Sequence, residues 1–245
     1  MAEFEIHLIR PTRYDGEGYP LQWWRSLAPS NSLACLTGIV QDALDRGVIG
    51  PDVTVTIDSR DEIHADIDLP RMIAQARAGK RLFVGLVGVQ SNQYPRALDL
   101  ARALRAENIP VCIGGFHVSG VLAMLKKPTP ELQEALDLGV SLFGGEAEDG
   151  RIDDVLLDAY AGQLKPIYNH LRTTPALGGA PTPWNAAGDL KRGSGRYATF
   201  DLGRGCPFEC SFCTIINVQG RKSRFRTPDD LEKIIRTNAA QGINR

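Results

Sequence analysis

Three cysteines fall within eight residues, in the run Gly203-Arg204-Gly205-Cys206-Pro207-Phe208-Glu209-Cys210-Ser211-Phe212-Cys213. The C-x3-C-x2-C spacing sets three soft ligands on one short loop, directed at a common centre. Thiolates so arranged suit zinc or an iron–sulfur cluster. A closed structural zinc site needs four ligands and this loop supplies three, which leaves a metal position open. In a 4Fe-4S cube that position is one iron free to bind a small molecule. A structural zinc or an ordinary redox cluster would need a distant fourth ligand, with Cys112 or His170 as candidates. The other two of the five cysteines, Cys35 and Cys112, sit in apolar surroundings and read as small buried hydrophobes.

A loop of this kind must be held by neighbouring elements. Up to residue 161, short apolar runs alternate with amphipathic stretches, the pattern of repeated βα units that build a parallel sheet. Five strands are predicted, at 4–9, 53–58, 82–89, 109–114 and 141–143, with the connections between them read as helices. Helices are expected at 33–44 behind a Ser32 cap, at 94–106 and at 151–161. Such sheets bind ligands beyond the carboxyl ends of their strands. The loops there read Arg10-Pro11-Thr12, Gln90-Ser91-Asn92, Gly114-Gly115-Phe116-His117 and Gly144-Gly145-Glu146-Ala147-Glu148. From 162 to 196 prolines and glycines, Gly193 and Gly195 among them, leave little room for regular structure and predict a linker. Beyond it come a strand-like run at 197–202, the cysteine loop, a basic stretch and a helix opened by Thr227-Pro228-Asp229-Asp230.

The chain has 245 residues, 28 basic and 29 acidic, for a net charge of −1, so no polyanion-binding surface covers the molecule. The charge divides at the linker: residues 1–161 carry 15 basic and 23 acidic side chains, and residues 162–245 carry 13 and 6. The basic run Arg221-Lys222-Ser223-Arg224-Phe225-Arg226 reads as a solvated or interdomain face rather than a nucleic-acid site. The first ten residues do not read as a signal peptide and no apolar run reaches about 20 residues, so a cytoplasmic location is expected. Trp23 and Trp24 could line a pocket or pack over the sheet edge. His7, His64 and His170 read as structural.

The C-x3-C-x-aromatic-C loop, with Phe212 before the last cysteine, resembles the signature of radical S-adenosylmethionine enzymes. With the preceding α/β region, the Gly-Gly-aromatic-His turn, the Gly-Glu-x-Glu loop and the Pro-rich linker, the likeness extends to the cobalamin-binding subgroup and covers essentially the whole chain. The resemblance implies a Rossmann-like (flavodoxin-like) five-stranded parallel sheet at 1–161 that binds cobalamin, a linker at 162–196, and at 197–245 the first β/α unit of a partial TIM barrel. It implies that Cys206, Cys210 and Cys213 hold a 4Fe-4S cluster whose fourth iron chelates S-adenosylmethionine, with Phe212 near the adenine. Reductive cleavage of the sulfonium would give a 5'-deoxyadenosyl radical, and the activity implied is methyl transfer or related radical chemistry on an unactivated carbon. Cobalamin contacts would fall to Gln90, Ser91, Asn92, Gly114, Gly115, His117, Gly145 and Glu146. An electron donor such as flavodoxin or ferredoxin and a small-molecule substrate are the implied partners.

Two features depart from the family. The Asp-x-His-x-x-Gly motif is absent, since Asp61-Glu62-Ile63-His64 has another spacing. Only 49 residues run from Tyr197 to Arg245, enough for one strand, the cysteine loop and one helix, so a fragment or a truncated product is expected. The alternatives are a non-catalytic corrinoid-binding module and a structural zinc or redox-cluster protein.

Overall fold

The computed structural model describes residues 2–24, 28–125, 127–186, 190 and 197–243. The first βα units alternate as the apolar runs require: β1 (Ala2–Arg10), α1 (Asn31–Asp45), β2 (Val53–Asp61), α2 (Leu69–Arg77), β3 (Arg81–Leu86), α3 (Tyr94–Arg105) and β4 (Val111–Gly114). They continue through α4 (Phe116–Met124), α5 (Pro130–Asp137), β5 (Ser141–Gly144), α6 (Arg151–Ala161) and β6 (Ile167–Asn169). All six strands form one parallel sheet in the order β2-β1-β3-β4-β5-β6. Strands β1 to β5 thus follow the flavodoxin-like 2-1-3-4-5 order, whose switch point lies between β1 and β3.

Strand periodicity sorts the core onto two faces. Phe4, Ile6, Leu8 and Phe83 pack under α1 and α6, against Ile39, Val40, Val155 and Leu156. Leu82, Val84, Leu86, Ile113 and Leu142 pack on the other face, against Met72, Leu100, Leu104 and Leu132. Both faces are covered by helices, which is why the central strands read as unbroken apolar runs.

The structure corrects several expectations. The sheet has six strands rather than five, because Ile167–Asn169 pairs beside β5. This three-residue strand follows Pro166, inside the segment read as a linker, and is too short to show a period. Gly193 and Gly195 of that segment lie outside the described residues. The Gly114-Gly115-Phe116-His117 turn is short, because Phe116 already opens α4. The run at 197–202 carries no ladder. Pairing is confined to an antiparallel ribbon of β7 (Gly203–Arg204) and β8 (Arg224–Phe225), and a barrel strand needs a parallel neighbour that the described residues do not place beside it. After the cysteine loop come α7 (Thr214–Val218) and α8 (Pro228–Ala240), which opens where expected and whose Thr227 and Asp230 form a capping box.

Candidate cofactor site

A cavity of about 430 Å³ opens at the carboxyl ends of β1, β3, β4 and β5, at the switch point of the sheet. Its floor is Leu8, Phe83, Gly85 and Phe143, and its sides are α1 (Cys35, Ile39) and α6 (Ile152, Val155). Gly88, Gly114, Gly115 and Gly145 bring bare backbone to the rim, and Gly203, Arg204, Ile215 and Gln219 close it from the ribbon side. Gly115 has no substitute: its φ is +145°, and a Cβ there would sit 2.2 Å from the backbone nitrogen of Val89. The interior is mostly apolar, with its polar groups gathered at one end, an arrangement that suits a flat, largely apolar ligand fringed with hydrogen-bonding groups.

That polar end is an ionic cluster which joins the β5–α6 loop to the ribbon. Arg204 meets three carboxylates, Asp201 at 2.8 Å, Glu146 at 2.9 Å and Glu148 at 2.7 Å. Burial works against the Arg204 charge, but Glu148 and then Asp201 outweigh it and hold the guanidinium above its ordinary pKa. Arg224 also donates to Glu146, and buried Arg226 lies 3.4 Å from Asp201. Burial, followed by the Asp201 carboxylate, pushes the Cys35 thiol up to about 12, so this cavity-lining thiol stays protonated. Spacing alone did not single out Asp201, Glu148 or Arg204. The sequence separation across the cluster, 58 residues between Glu146 and Arg204, leaves no local pattern to find.

The cysteine loop hangs from the ribbon. Gly205, with φ of +87°, precedes Cys206, and a Cβ there would fall 2.3 Å from the Lys222 carbonyl. The Cys206 amide donates to the Gly220 carbonyl and the Cys213 amide to the Cys210 carbonyl. Cys210 is exposed and Cys206 and Cys213 are partly so, while Phe212 is 84% exposed. Among the described residues no three His, Cys, Asp or Glu side chains gather so as to hold a metal ion. The loop therefore presents three accessible thiols without gathering them, and the donor set, rather than its present geometry, fits an iron–sulfur cluster.

Of the residues expected to touch cobalamin, Gly114, Gly115, Gly145 and Glu146 line the cavity together. Gln90, Ser91, Asn92 and His117 do not. Gln90, Ser91 and Asn92 lie just before α3, and His117, in the first turn of α4, contacts Ser91 at 3.1 Å, approaches Glu131 at 3.2 Å and stacks on Tyr94. Burial holds the His117 imidazole below its ordinary pKa. Cys112 lies within β4 with its thiol pushed up to about 12 by burial. His170 packs on Phe143. Neither joins the three cysteines. His7 is buried between Glu5 and Asp58. Trp23 and Trp24 line a separate open cavity of about 710 Å³ with Arg60, His64 and Asp66, beyond the end of β2. In the basic run, Arg224 and Arg226 are drawn into the ionic cluster, while Arg221 pairs with Glu209 at the surface.

No family model matches the sequence. The fold is similar to that of a solved radical S-adenosylmethionine methyltransferase, TsrM, in two structures. TsrM from Kitasatospora setae, solved with cobalamin and a [4Fe-4S] cluster bound, superposes with a TM-score of 0.60 at 15% identity over 99% of this chain and 48% of that one. TsrM with tryptophan and a SAM analog (aza-SAM) bound gives 0.58 at 14% identity, over 98% of this chain and 46% of that one. Among known sequences, the bacteriochlorophyllide d C-8(2)-methyltransferase of Chlorobaculum tepidum is 29% identical over 150 residues, 58% of this chain and 31% of that protein. The chain thus spans about half the length of the solved structures and under a third of the matched enzyme. No helix among the described residues is long and apolar enough to cross a membrane.

Proposed function

We propose that the chain is the corrinoid-binding and cluster-bearing part of a cobalamin-dependent radical S-adenosylmethionine methyltransferase, with residues 1–161 as the cobalamin unit, 162–196 as the connection and 197–245 as the opening of the radical domain. The observation that carries this reading is the cavity at the sheet's switch point, closed on one side by the same ribbon that holds the C-x3-C-x2-C loop. Its fold neighbours are methyltransferases, and one was solved with cobalamin and a [4Fe-4S] cluster.

Gly114, Gly115 and Gly145 let the sheet edge approach a broad macrocycle without side chains between them, and the apolar slot between α1, α6 and the sheet accepts a flat heteroaromatic group. Cys206, Cys210 and Cys213 would hold the cluster, and exposed Phe212 would lie against the adenine of S-adenosylmethionine. Together the bound cofactors supply one-electron cleavage of a sulfonium and a transferable methyl group; the chain binds them, orients them and excludes water. His7, His64, His117 and His170 all lie outside the cavity lining, so among the described residues no imidazole is available there to cobalt. An acidic reductant such as flavodoxin or ferredoxin would serve as electron donor to the basic C-terminal part.

Anaerobic reconstitution with iron and sulfide, followed by titration with hydroxocobalamin, tests this reading. One cluster and one corrinoid per chain are expected; stoichiometric zinc with no visible absorption would sink it. A corrinoid-binding module without a cluster is the second reading, favoured by the ungathered thiols. It predicts the same corrinoid titration with no iron retained after desalting.

A further inference from the structure

The ionic cluster does more than line the cavity, because its members belong to two parts of the chain that the proposed reaction must keep in register. Glu146 follows Gly145 in the cavity wall. Its Oε2 accepts from Arg204 at 2.9 Å and from Arg224 at 3.1 Å, and its Oε1 accepts from the second Arg224 nitrogen. Arg204 and Arg224 are register partners across the ribbon, so one carboxylate grips both strands at the same rung. Cys206 begins the cysteine loop two residues later. Both Glu146 oxygens are therefore committed to the ribbon rather than to a ligand.

We propose that Glu146 is a positioning residue: it latches the cysteine loop to the cavity wall, so that filling the cavity and loading the loop with its cluster are energetically coupled. The second half rests on the cofactor reading above; the latch itself does not. The grip is buried, with Glu146 7% exposed, and the surrounding charges balance as three guanidiniums against three carboxylates. Tilting the ribbon away from the wall would strip Arg204 and Arg224 of Glu146 together, leaving unpaired charge in a half-dry site. A ligand that fixes the wall therefore fixes the loop, and by linkage the loop's cluster returns the same factor to the ligand.

Hydrogen exchange read by mass spectrometry on Glu146→Gln and Arg224→Gln tests the latch without any cofactor. The amides of Cys206 and Arg226 bond to the Gly220 and Leu202 carbonyls beside the ribbon. In both variants they are expected to exchange about tenfold faster or more, while the amides of 82–86 speed up only by the loss of global stability that urea unfolding of the same variant gives. Wild-type rates at Cys206 and Arg226 would overturn the latch. The coupling is read by titrating hydroxocobalamin into iron-free and reconstituted protein. In wild type the two affinities should differ by about fivefold or more, and within each variant by less than about twofold. A wild-type ratio near one, or variants that keep the wild-type ratio, would overturn the coupling. Faster ribbon exchange in variants of a protein that binds no hydroxocobalamin would refute the cofactor reading and the coupling together, and leave the latch standing.

Discussion

Val84 and Leu86 in β3, and Val111 and Ile113 in β4, are buried against apolar neighbours with helices on both sides. The ribbon of β7 and β8 has two residues per strand, and its principal anchors are Arg204, Arg224 and Arg226 reaching Asp201, Glu146 and Glu148. Burial of apolar area is non-directional and cumulative, so the sheet tolerates the loss of any single contact better than it tolerates the loss of volume. Charge pairs are directional and few, so they set where the cysteine loop lies; an intact buried set adds little net stability, although removing one member strands its partner. In the loop and the ribbon, aromatic side chains point outward: Phe208 is 71% exposed and Phe225 68%. The sheet supplies stability and the ribbon supplies placement.

The sharpest way to break that division is to remove the chemistry and look for a change in the fold. Replacing Cys206, Cys210 and Cys213 together with alanine should bring bound iron to background after reconstitution while the melting temperature stays within about 2 °C, since none of the three lies in either core cluster. A large drop in melting temperature would place the loop among the stabilising elements. Next in size is a contrast in thiol reactivity. Burial holds Cys35 and Cys112 at about 12, three units above an ordinary thiol, which lowers their thiolate fraction about a thousandfold at pH 8. Iodoacetamide should therefore label Cys206, Cys210 and Cys213 and spare the other two, as peptide mapping would show. The same shift carries a sign for stability. The folded thiols bind protons more tightly than the unfolded ones, so their contribution is complete below about pH 9 and is lost as pH rises towards 12. Denaturant midpoints that rise between pH 9 and 11 would contradict it.

Alternating apolar runs gave away the parallel sheet and its loops, because buried strands leave a contiguous signature even in one sequence. The strand at Ile167–Asn169 escaped because three residues behind a proline carry no period, and the start of α4 escaped because Phe116 follows two glycines that read as a turn. Of the residues expected to touch cobalamin, Gly114, Gly115, Gly145 and Glu146 follow strand ends and line one cavity, whereas Gln90, Ser91, Asn92 and His117 follow strand ends as well but gather beside α3. Which side of the sheet a loop serves depends on the crossover after it, and that is a property of the whole topology. The pairing of Glu146 with Arg204 and Arg224, 58 and 78 residues away, has no local signature at all.

Smaller effects separate the two regions more finely. Leu142→Ala removes a fully buried side chain from β5 and should cost about 2–5 kcal/mol in urea unfolding, as large-to-small changes in packed cores do. A cost under about 1 kcal/mol would mean that the sheet core is loosely packed and that the contrast drawn above is wrong.

The weakest expected effect lies in the ribbon's own surface. Arg221 pairs with Glu209 inside the cysteine loop, and their side chains are 58% and 77% exposed. Solvent screens such a pair and two long side chains lose freedom to make it, so Arg221→Ala should change stability by no more than about 0.5 kcal/mol. Arg224, three residues on, donates to buried Glu146 and leaves an uncompensated charge when removed, a loss of about 3–5 kcal/mol where a buried partner is stranded. Both arginines belong to the same basic run and the same turn of chain. If urea unfolding gave them equal costs, charge near the loop would matter and burial would not, and Glu146 would have no special claim on the position of Cys206.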